Sequence, residues 1–341
     1  MSAVIRVGVV GVGALGSQHA RLYAELAKRS NGTCEFVGVF DSDKIRARAV
    51  MEKYGGGTFA SVEELSKFAD AVSVATPTET HHAVARIFLE AGKHVLIEKP
   101  ITDDLGEATE LVTLARKKKC ILQVGHVERF NPVMRYLDEV LAEPRFIEVH
   151  RLSPYPGRST DIGVVLDLMI HDLDVVLSLV KSPLTKVDAV GIPVLSTSED
   201  IANARLKFKN GCVANITASR VSAERMRKMR IFGSTNHGAA YISLDYMKQE
   251  GELYRVAADD AEESGLLKKL LAGKHASIVS EFGGKKIVRE PVPIERDEPL
   301  KLELQHFIES CRTHRDPLVT GEAAKQALEV ALEITDLARR K

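Results

Sequence analysis

The sequence predicts an α/β protein in two parts: an N-terminal doubly wound parallel sheet, and a C-terminal α+β domain with an open, mainly antiparallel sheet. Three observations predict it. Up to about residue 125, short wholly apolar runs alternate with helical patterns. A glycine-rich loop joins the first of those runs to the first helix. From Arg145 onward the strand candidates alternate apolar with polar residues, as sheets with one solvated face do.

Residues 4–10 form the first expected strand. It runs straight into Gly11-Val12-Gly13-Ala14-Leu15-Gly16, a G-x-G-x-x-G, and a helix follows with Leu15, Leu22, Tyr23 and Leu26 at helical spacing. Residues 35–41 are a second strand, ending in Asp41. Between strand and helix, with a terminal acid after the next strand, the glycine pattern points to a bound dinucleotide. Gly11 allows the tight turn, Gly13 lets backbone approach a pyrophosphate, and Gly16 lets helix and strand pack closely. The helix N-terminus offers N–H groups to the phosphates. Asp41 would accept hydrogen bonds from ribose hydroxyls and repel a 2′-phosphate, which favours NAD over NADP. Ser42, Lys44 and Arg46 follow closely and leave some NADP use open.

The alternation continues. Residues 58–60 are a short strand, and Ser61 can cap helix 62–69 with Glu64 at its third position. Strand 71–75 ends in Thr76-Pro77, and helix 79–91 stops at Gly92. Next come His94-Val95-Leu96-Ile97-Glu98-Lys99-Pro100, helix 103–119 and strand 120–124. Val95, Leu96 and Ile97 read as a strand buried on both faces, and proline ends it. Six strands with helical crossovers predict the order 3-2-1-4-5-6. Ligands in such sheets bind beyond the carboxyl ends of the strands. Lys99 ends the strand two places from the phosphate-binding strand, about where a nicotinamide would lie. Elsewhere a Glu-Lys-Pro would be only a solvated pair before a turn. His81 stands near the Thr76-Pro77 loop and could touch the cofactor; His82 suits a cap or surface role.

In the second part, strands are expected at 146–152, 186–194, 201–208, 212–219, 228–233, 238–243 and 252–257, with a hairpin at Lys209-Asn210-Gly211. Residues 262–290 read as a loop-rich excursion around a short helix, and helices at about 300–313 and 321–339 close the chain. On an otherwise apolar helix over 163–178, Asp167, His171, Asp174 and Ser178 form one narrow polar stripe. A stripe of acid and imidazole on a buried helix implies an enclosed polar cavity, or a satisfied His–Asp pair in the core. His171-Asp172 alone also fits metal phosphohydrolases, but the further ligands such a centre needs are not found, and no metal is expected.

Composition narrows the class. The 341 residues suit two domains, with boundaries expected at 1–125 and 126–341 and the C-terminal helices able to pack back on the first. Lys plus Arg equals Asp plus Glu, 47 each, which gives no electrostatic case for nucleic acid or a membrane surface. The longest nearly apolar run, residues 163–180, holds three aspartates and a histidine, which is unsuited to a membrane span. The N-terminus reads as a strand rather than a signal peptide. Cys34, Cys120, Cys212 and Cys311 have no ligand spacing, and a reducing cytoplasm fits them. An open sheet face needs covering, so a homodimer or homotetramer through the C-terminal sheet is expected.

Together these motifs resemble the glucose–fructose oxidoreductase / inositol dehydrogenase / MocA family. The resemblance rests on the glycine loop, Ala75-Thr76-Pro77 followed by His81, Glu98-Lys99-Pro100, and Asp-x-x-x-His at Asp167 and His171. It implies a catalytic set of Lys99, Asp167 and His171. Gly11 to Gly16, Asp41, Ser42, Ala75, Thr76, Pro77, His81, Glu98, Lys99 and His126 would hold the cofactor. Arg129, Asn131 and Tyr155 would join Lys99, Asp167 and His171 around a sugar or nucleotide-sugar substrate. Val124 to Pro132 and Ser219-Arg220-Val221-Ser222 look similar to members that oxidise the 3-hydroxyl of UDP-N-acetylglucosamine or its uronate. Arg220, Arg225, Arg227 and Arg230 could meet a diphosphate. The rivals are a dehydrogenase of a free sugar or cyclitol, and a non-catalytic dinucleotide sensor.

Overall fold

The computed structural model describes residues 4–29, 32–155, 162–235, 238–257, 277–282 and 285–339. The chain divides into two compact units: Met1–Phe130 with Glu298–Glu329, and Asn131–Asp297 with Val330–Lys341.

In the first unit the elements are β1 (Ile5–Val10), α1 (Gly16–Arg29), β2 (Cys34–Phe40), α2 (Lys44–Tyr54), β3 (Gly57–Thr58), α3 (Val62–Phe68), β4 (Ala71–Val74), α4 (His81–Glu90), β5 (His94–Glu98), α5 (Leu105–Lys118) and β6 (Leu122–Gly125). The six strands are parallel, in the expected order β3-β2-β1-β4-β5-β6. Val72, Val74, Val95, Leu96 and Ile97 are fully buried, as strands covered on both faces must be. Helix starts are local: Asp43 accepts from Ile45 and Arg46 N–H, Ser61 from Glu64 N–H, and Asp104 from Glu107 N–H. Helix α8 (Pro299–Thr313) belongs here, its Leu304, Phe307 and Ile308 in one apolar cluster with Val7, Val9, Ala20 and Tyr23.

In the second unit α6 (Pro132–Val140) precedes β7 (Leu141–Leu152). A π-helical turn (Val165–Met169) leads into α7 (Ile170–Leu179). Then come β8 (Leu184–Ile192), β9 (Ile201–Phe208), β10 (Val213–Ser219), β11 (Met226–Thr235), β12 (Gly238–Asp245), β13 (Glu250–Val256), β14 (Ser277–Phe282) and β15 (Lys285–Pro291). They form a nine-stranded sheet, β14-β15-β13-β12-β11-β7-β10-β9-β8, antiparallel except for β7 against β10. The last helix, α9 (Gly321–Arg339), contributes its final residues to this unit. One sheet face is core: Ile147, Ile216, Ile231, Ile242, Leu253 and Val288 are buried. On the other face Phe146, Phe232, Tyr241 and Tyr254 are cross-strand partners in one row, with adjacent rings 4.6–5.7 Å apart.

Two expectations are corrected. Residues 277–291 hold a strand pair, not loop; Val288 is their buried anchor and the flanking positions are mostly exposed, so the composition hides an edge hairpin. The short helix expected nearby falls on 258–276, outside the described residues. The helix over 163–178 is not one regular α-helix, because five residues at its start are π-helical.

Candidate active site

At the end of β1 the strand order reverses, and there the chain makes its glycine turn. Gly11 has φ +81° and donates its N–H to Phe40 O at 2.8 Å. A Cβ on Gly11 would lie 2.8 Å from Ala75 O, and one on Gly16 1.9 Å from Gly11 O. A Cβ on Gly13 would meet nothing within 4 Å. The loop is therefore packed shut at its ends and open at its middle. Gly13 lines a cavity of about 550 Å³ together with Gly11, Asp41, Ser42, Ala75, Thr76 and Pro77. Val12, Ala14 and Leu15 complete the turn: Leu15 O accepts the His19 N–H, and Ala14 O the Ser17 hydroxyl. Asp41 is buried, accepting from Val12 N–H at 2.7 Å and Asp43 N–H at 2.8 Å. A carboxylate offers about four acceptor positions, so capacity for ribose hydroxyls remains. Arg46 also lines the cavity, its Nη1 3.8 Å from Asp41 Oδ2. The glycine cradle and its acid rim fit a dinucleotide.

Lys99 leaves the carboxyl end of β5, half-buried, followed by a cis Lys99–Pro100 bond. His81 does not line the cavity. It is buried, with Nδ1 2.9 Å from Pro100 O and Nε2 2.9 Å from Thr76 O. Burial pushes its pKa below the ordinary value, against the pull of the two carbonyls. It thus joins the Ala75–Pro77 loop to the Lys99 turn. Glu98 is buried as well, its Oε1 2.9 Å from His19 Nε2. His126 is buried after β6, and Arg129 Nη2 lies 3.5 Å from Leu318 O.

In the second unit, Asp167 lies in the π-turn and His171 in the first turn of α7, both half-buried. Further along α7, Asp174 is buried, and the Ser178 hydroxyl bonds Val175 O in its own helix. π-turns inside α-helices are frequent at functional sites. Tyr155 is half-buried beyond β7. Asn131 is buried; its Oδ1 accepts from Val133 N–H and its Nδ2 donates to Tyr246 O, so its amide caps α6.

Several supporting contacts had no signal in the sequence. Arg151 forks onto Asp172 at 2.7 and 2.8 Å, both buried, fastening α7 to β7. Arg220 is not an anion receptor. Fully buried, it donates to Asp200 Oδ1, to Ile162 O, and to the Ser196 and Ser198 hydroxyls. Asp200 also accepts three backbone N–H groups, from Val194, Leu195 and Ser196; its pKa lies below the carboxylate range, these bonds outweighing the cost of burial. Arg230 is paired with Glu148 across β11 and β7. Glu199 meets the start of the π-turn, where Gly163 leaves it room: a Cβ there would lie 1.7 Å from Glu199 Oε1. Among the described residues no group of three or more His, Cys, Asp or Glu is placed to hold a metal ion.

A glycine turn at the switch point of a doubly wound parallel sheet, opening on a crevice with an acid at its rim, defines a dinucleotide-binding Rossmann domain. Comparison with known families gives the rest. Residues 5–126 match the oxidoreductase family with an NAD-binding Rossmann fold, and residues 138–237 match the GFO/IDH/MocA C-terminal domain. The chain belongs to the GFO/IDH/MocA family and is an oxidoreductase. It is 36% identical to the UDP-N-acetylglucosamine 3-dehydrogenase of Acidithiobacillus ferrooxidans, over 97% of this chain and 96% of that one. A solved structure of that enzyme superposes with a TM-score of 0.85 at 35% identity, covering 98% and 99% of the two chains. The NAD-dependent scyllo-inositol 2-dehydrogenase of Bacillus subtilis is 27% identical over 98% of this chain and 94% of that one. Among the described residues no helix is long and apolar enough to cross a membrane.

Proposed function

We propose that this chain is an NAD-dependent dehydrogenase that oxidises a secondary hydroxyl of a sugar, foremost the 3-hydroxyl of a UDP-N-acetylated hexose such as UDP-N-acetylglucosamine. The observation that carries the reading is the placement of Lys99, at the carboxyl end of β5 in the sheet whose β1–β4 crevice is shaped for a dinucleotide. The nucleotide-sugar part is supported by the relative at 36% identity, which spans nearly the whole chain.

Gly11 to Gly16 would hold the pyrophosphate, and Asp41 with Ser42 the adenosine ribose. When bound, NAD supplies the hydride acceptor. Lys99, as an ammonium, donates to the reacting oxygen and stabilises negative charge developing there. His171 takes the hydroxyl proton, and Asp167 orients its imidazole and stabilises the charged form. A lysine acting as the base is the competing assignment. The 27% identity to an inositol dehydrogenase supports a free cyclitol as the second reading.

The test is a panel of UDP-sugars, free sugars and inositol with NAD and NADP, followed by reduced-nicotinamide absorbance. Turnover of UDP-N-acetylglucosamine well above the others, lost in both Lys99→Met and His171→Ala, supports the proposal. Preference for inositol moves it to the second reading. NAD binding with no turnover of any sugar identifies a sensor. A His171→Ala variant at full rate assigns the proton to another group.

The same proposal includes assembly in the cytoplasm, where the four cysteines stay free, as a homodimer or homotetramer through the aromatic row on the open sheet face. Light scattering of Tyr241→Glu should then show a smaller particle.

A further inference from the structure

We propose that His19 is a positioning residue for the reaction, tying the glycine-loop helix to the Lys99 strand through Glu98; this rests on the reading of Lys99 given above. His19 lies on α1, three residues past Gly16, and is fully buried. Its Nε2 is 2.9 Å from Glu98 Oε1, and the other oxygen of Glu98 accepts the Lys99 backbone N–H at 3.3 Å. Opposite Glu98 on β6 stands Gly125, where a Cβ would lie 2.7 Å from Glu98 Oε2. The neighbouring strand gives up a side chain to seat this carboxylate. A carboxylate only accepts, so the contact places a proton on Nε2 of His19. Its Nδ1 is buried with no hydrogen-bond partner among the described residues, and a bare ring nitrogen is easier to leave there than an orphaned N–H.

The pair is a costly way to hold a helix on a sheet. Two polar groups are desolvated where apolar side chains of similar volume would pack as well. What it adds is direction. Helix α1 is polar toward the sheet at two points one turn apart: the Tyr23 hydroxyl meets Ser73 on β4 at 2.7 Å, and His19 meets Glu98 on β5. Its N-terminus is where the pyrophosphate would sit, and β5 ends in the amine that faces the chemistry. The tie therefore fixes the separation between the phosphate end and the nicotinamide end of one bound cofactor. An apolar contact, being non-directional, leaves that separation soft.

Three variants test it. His19→Gln keeps an N–H at about the reach of Nε2, His19→Asn is as polar but too short, and His19→Leu fills the space with no donor. NAD affinity is measured by titration, kcat and KM with the preferred sugar, and the Lys99 environment by NMR of ¹³C-methylated lysines. The Lys99 signal is identified by its loss in Lys99→Arg. We expect kcat to fall about 100-fold in His19→Leu and His19→Asn, the size of effect a misplacement of about 1 Å produces. The KM for sugar should stay within about twofold, the Lys99 signal should move, and His19→Gln should recover both. Wild-type kcat and an unmoved Lys99 signal in His19→Asn overturn the proposal. So does His19→Gln if it is as impaired as His19→Leu and loses melting temperature equally, since that pattern belongs to a purely structural histidine. If the wild type oxidises no sugar, the functional reading fails, and the Lys99 signal of the NAD-bound protein still decides the role of His19.

Discussion

Around the β1–β4 crevice the shaping contacts run through backbone. Gly11 N–H reaches Phe40 O, Asp41 accepts from Val12 N–H, and His81 holds two carbonyls. Around α7 they run through buried charged side chains, with Arg151 on Asp172, and Arg220 on Asp200 and on Ile162 O. The first kind leaves space empty for a ligand, because glycine and carbonyl atoms occupy little. The second aims a helix, because a guanidinium fork accepts only one orientation of its carboxylate. The cost of failure differs too. A lost backbone contact loosens a loop, whereas a lost partner leaves a buried charge uncompensated.

The largest effect is expected at Arg151. Arg151→Ala strands Asp172 and should cost about 3–5 kcal/mol, the range for breaking a buried pair. Two-step thermal unfolding, with the lower step moved and NAD titration unchanged, would show that the loss is confined to the second unit. Equal loss of NAD affinity would break the distinction.

Gly13→Ala should behave in the opposite way. The added methyl meets no protein atom and the backbone is unstrained, so stability should change by less than about 0.5 kcal/mol. NAD affinity should fall about 10- to 100-fold, because the methyl would enter the space proposed for the pyrophosphate. Asp41→Asn gives a related readout: removing the charge beside Arg46 should raise the NADP-to-NAD ratio of kcat/KM by about tenfold.

Acid should separate the units. In the first, burial lowers the pKa of His94 to about 4, assisted by His314, and lowers those of His81 and His306. A histidine held below its ordinary value near 6.5 binds fewer protons folded than unfolded. Stability is then full above pH 6.5 and falls between 6.5 and 4, by at most about 1.4 kcal/mol per pH unit for His94. In the second unit the buried group held low is Asp200, whose contribution is complete above the ordinary carboxylate pKa and is lost only as pH falls below it. Circular dichroism from pH 7 to 4 should show the first unit loosening first. The smallest effect is expected at exposed pairs. Arg6→Ala, which loses Asp70, and Arg230→Ala, which loses Glu148, should each cost under about 1 kcal/mol, alike in both units.

The same contrast explains what could be read in advance. Gly11 to Gly16, Asp41 and the β5 terminus were legible because each acts through a neighbour close in sequence or through backbone geometry that demands glycine or proline. The six-strand order followed from apolar runs that only parallel, doubly covered strands require. The π-turn was hidden, because Asp167 and His171 keep i, i+4 spacing in either helix form. Arg151–Asp172 and Arg220–Asp200 were hidden because twenty or so residues separate partners that look like ordinary surface charges. Arg220 even suggested the wrong role, since a guanidinium suits a diphosphate and a buried carboxylate equally. His81 stands out in the sequence for its neighbourhood, but its buried contacts to two carbonyls arise only once β4 and β5 lie side by side.

The parallel pairing of β7 with β10 bears on the order in which competence is gained. The hairpins β9–β10 and β11–β12 close over a few residues, but β7 enters between them, pairing Phe146 with Val213 and Leu152 with Met226. Those pairings close long stretches of chain and are entropically the slowest in the sheet. Arg151, which secures α7, lies on this strand. During refolding, then, the helix bearing Asp167 and His171 should be fastened only when the central strand is inserted. A chain caught before that moment would, by the roles proposed for those two residues, lack the proton acceptor of the reaction.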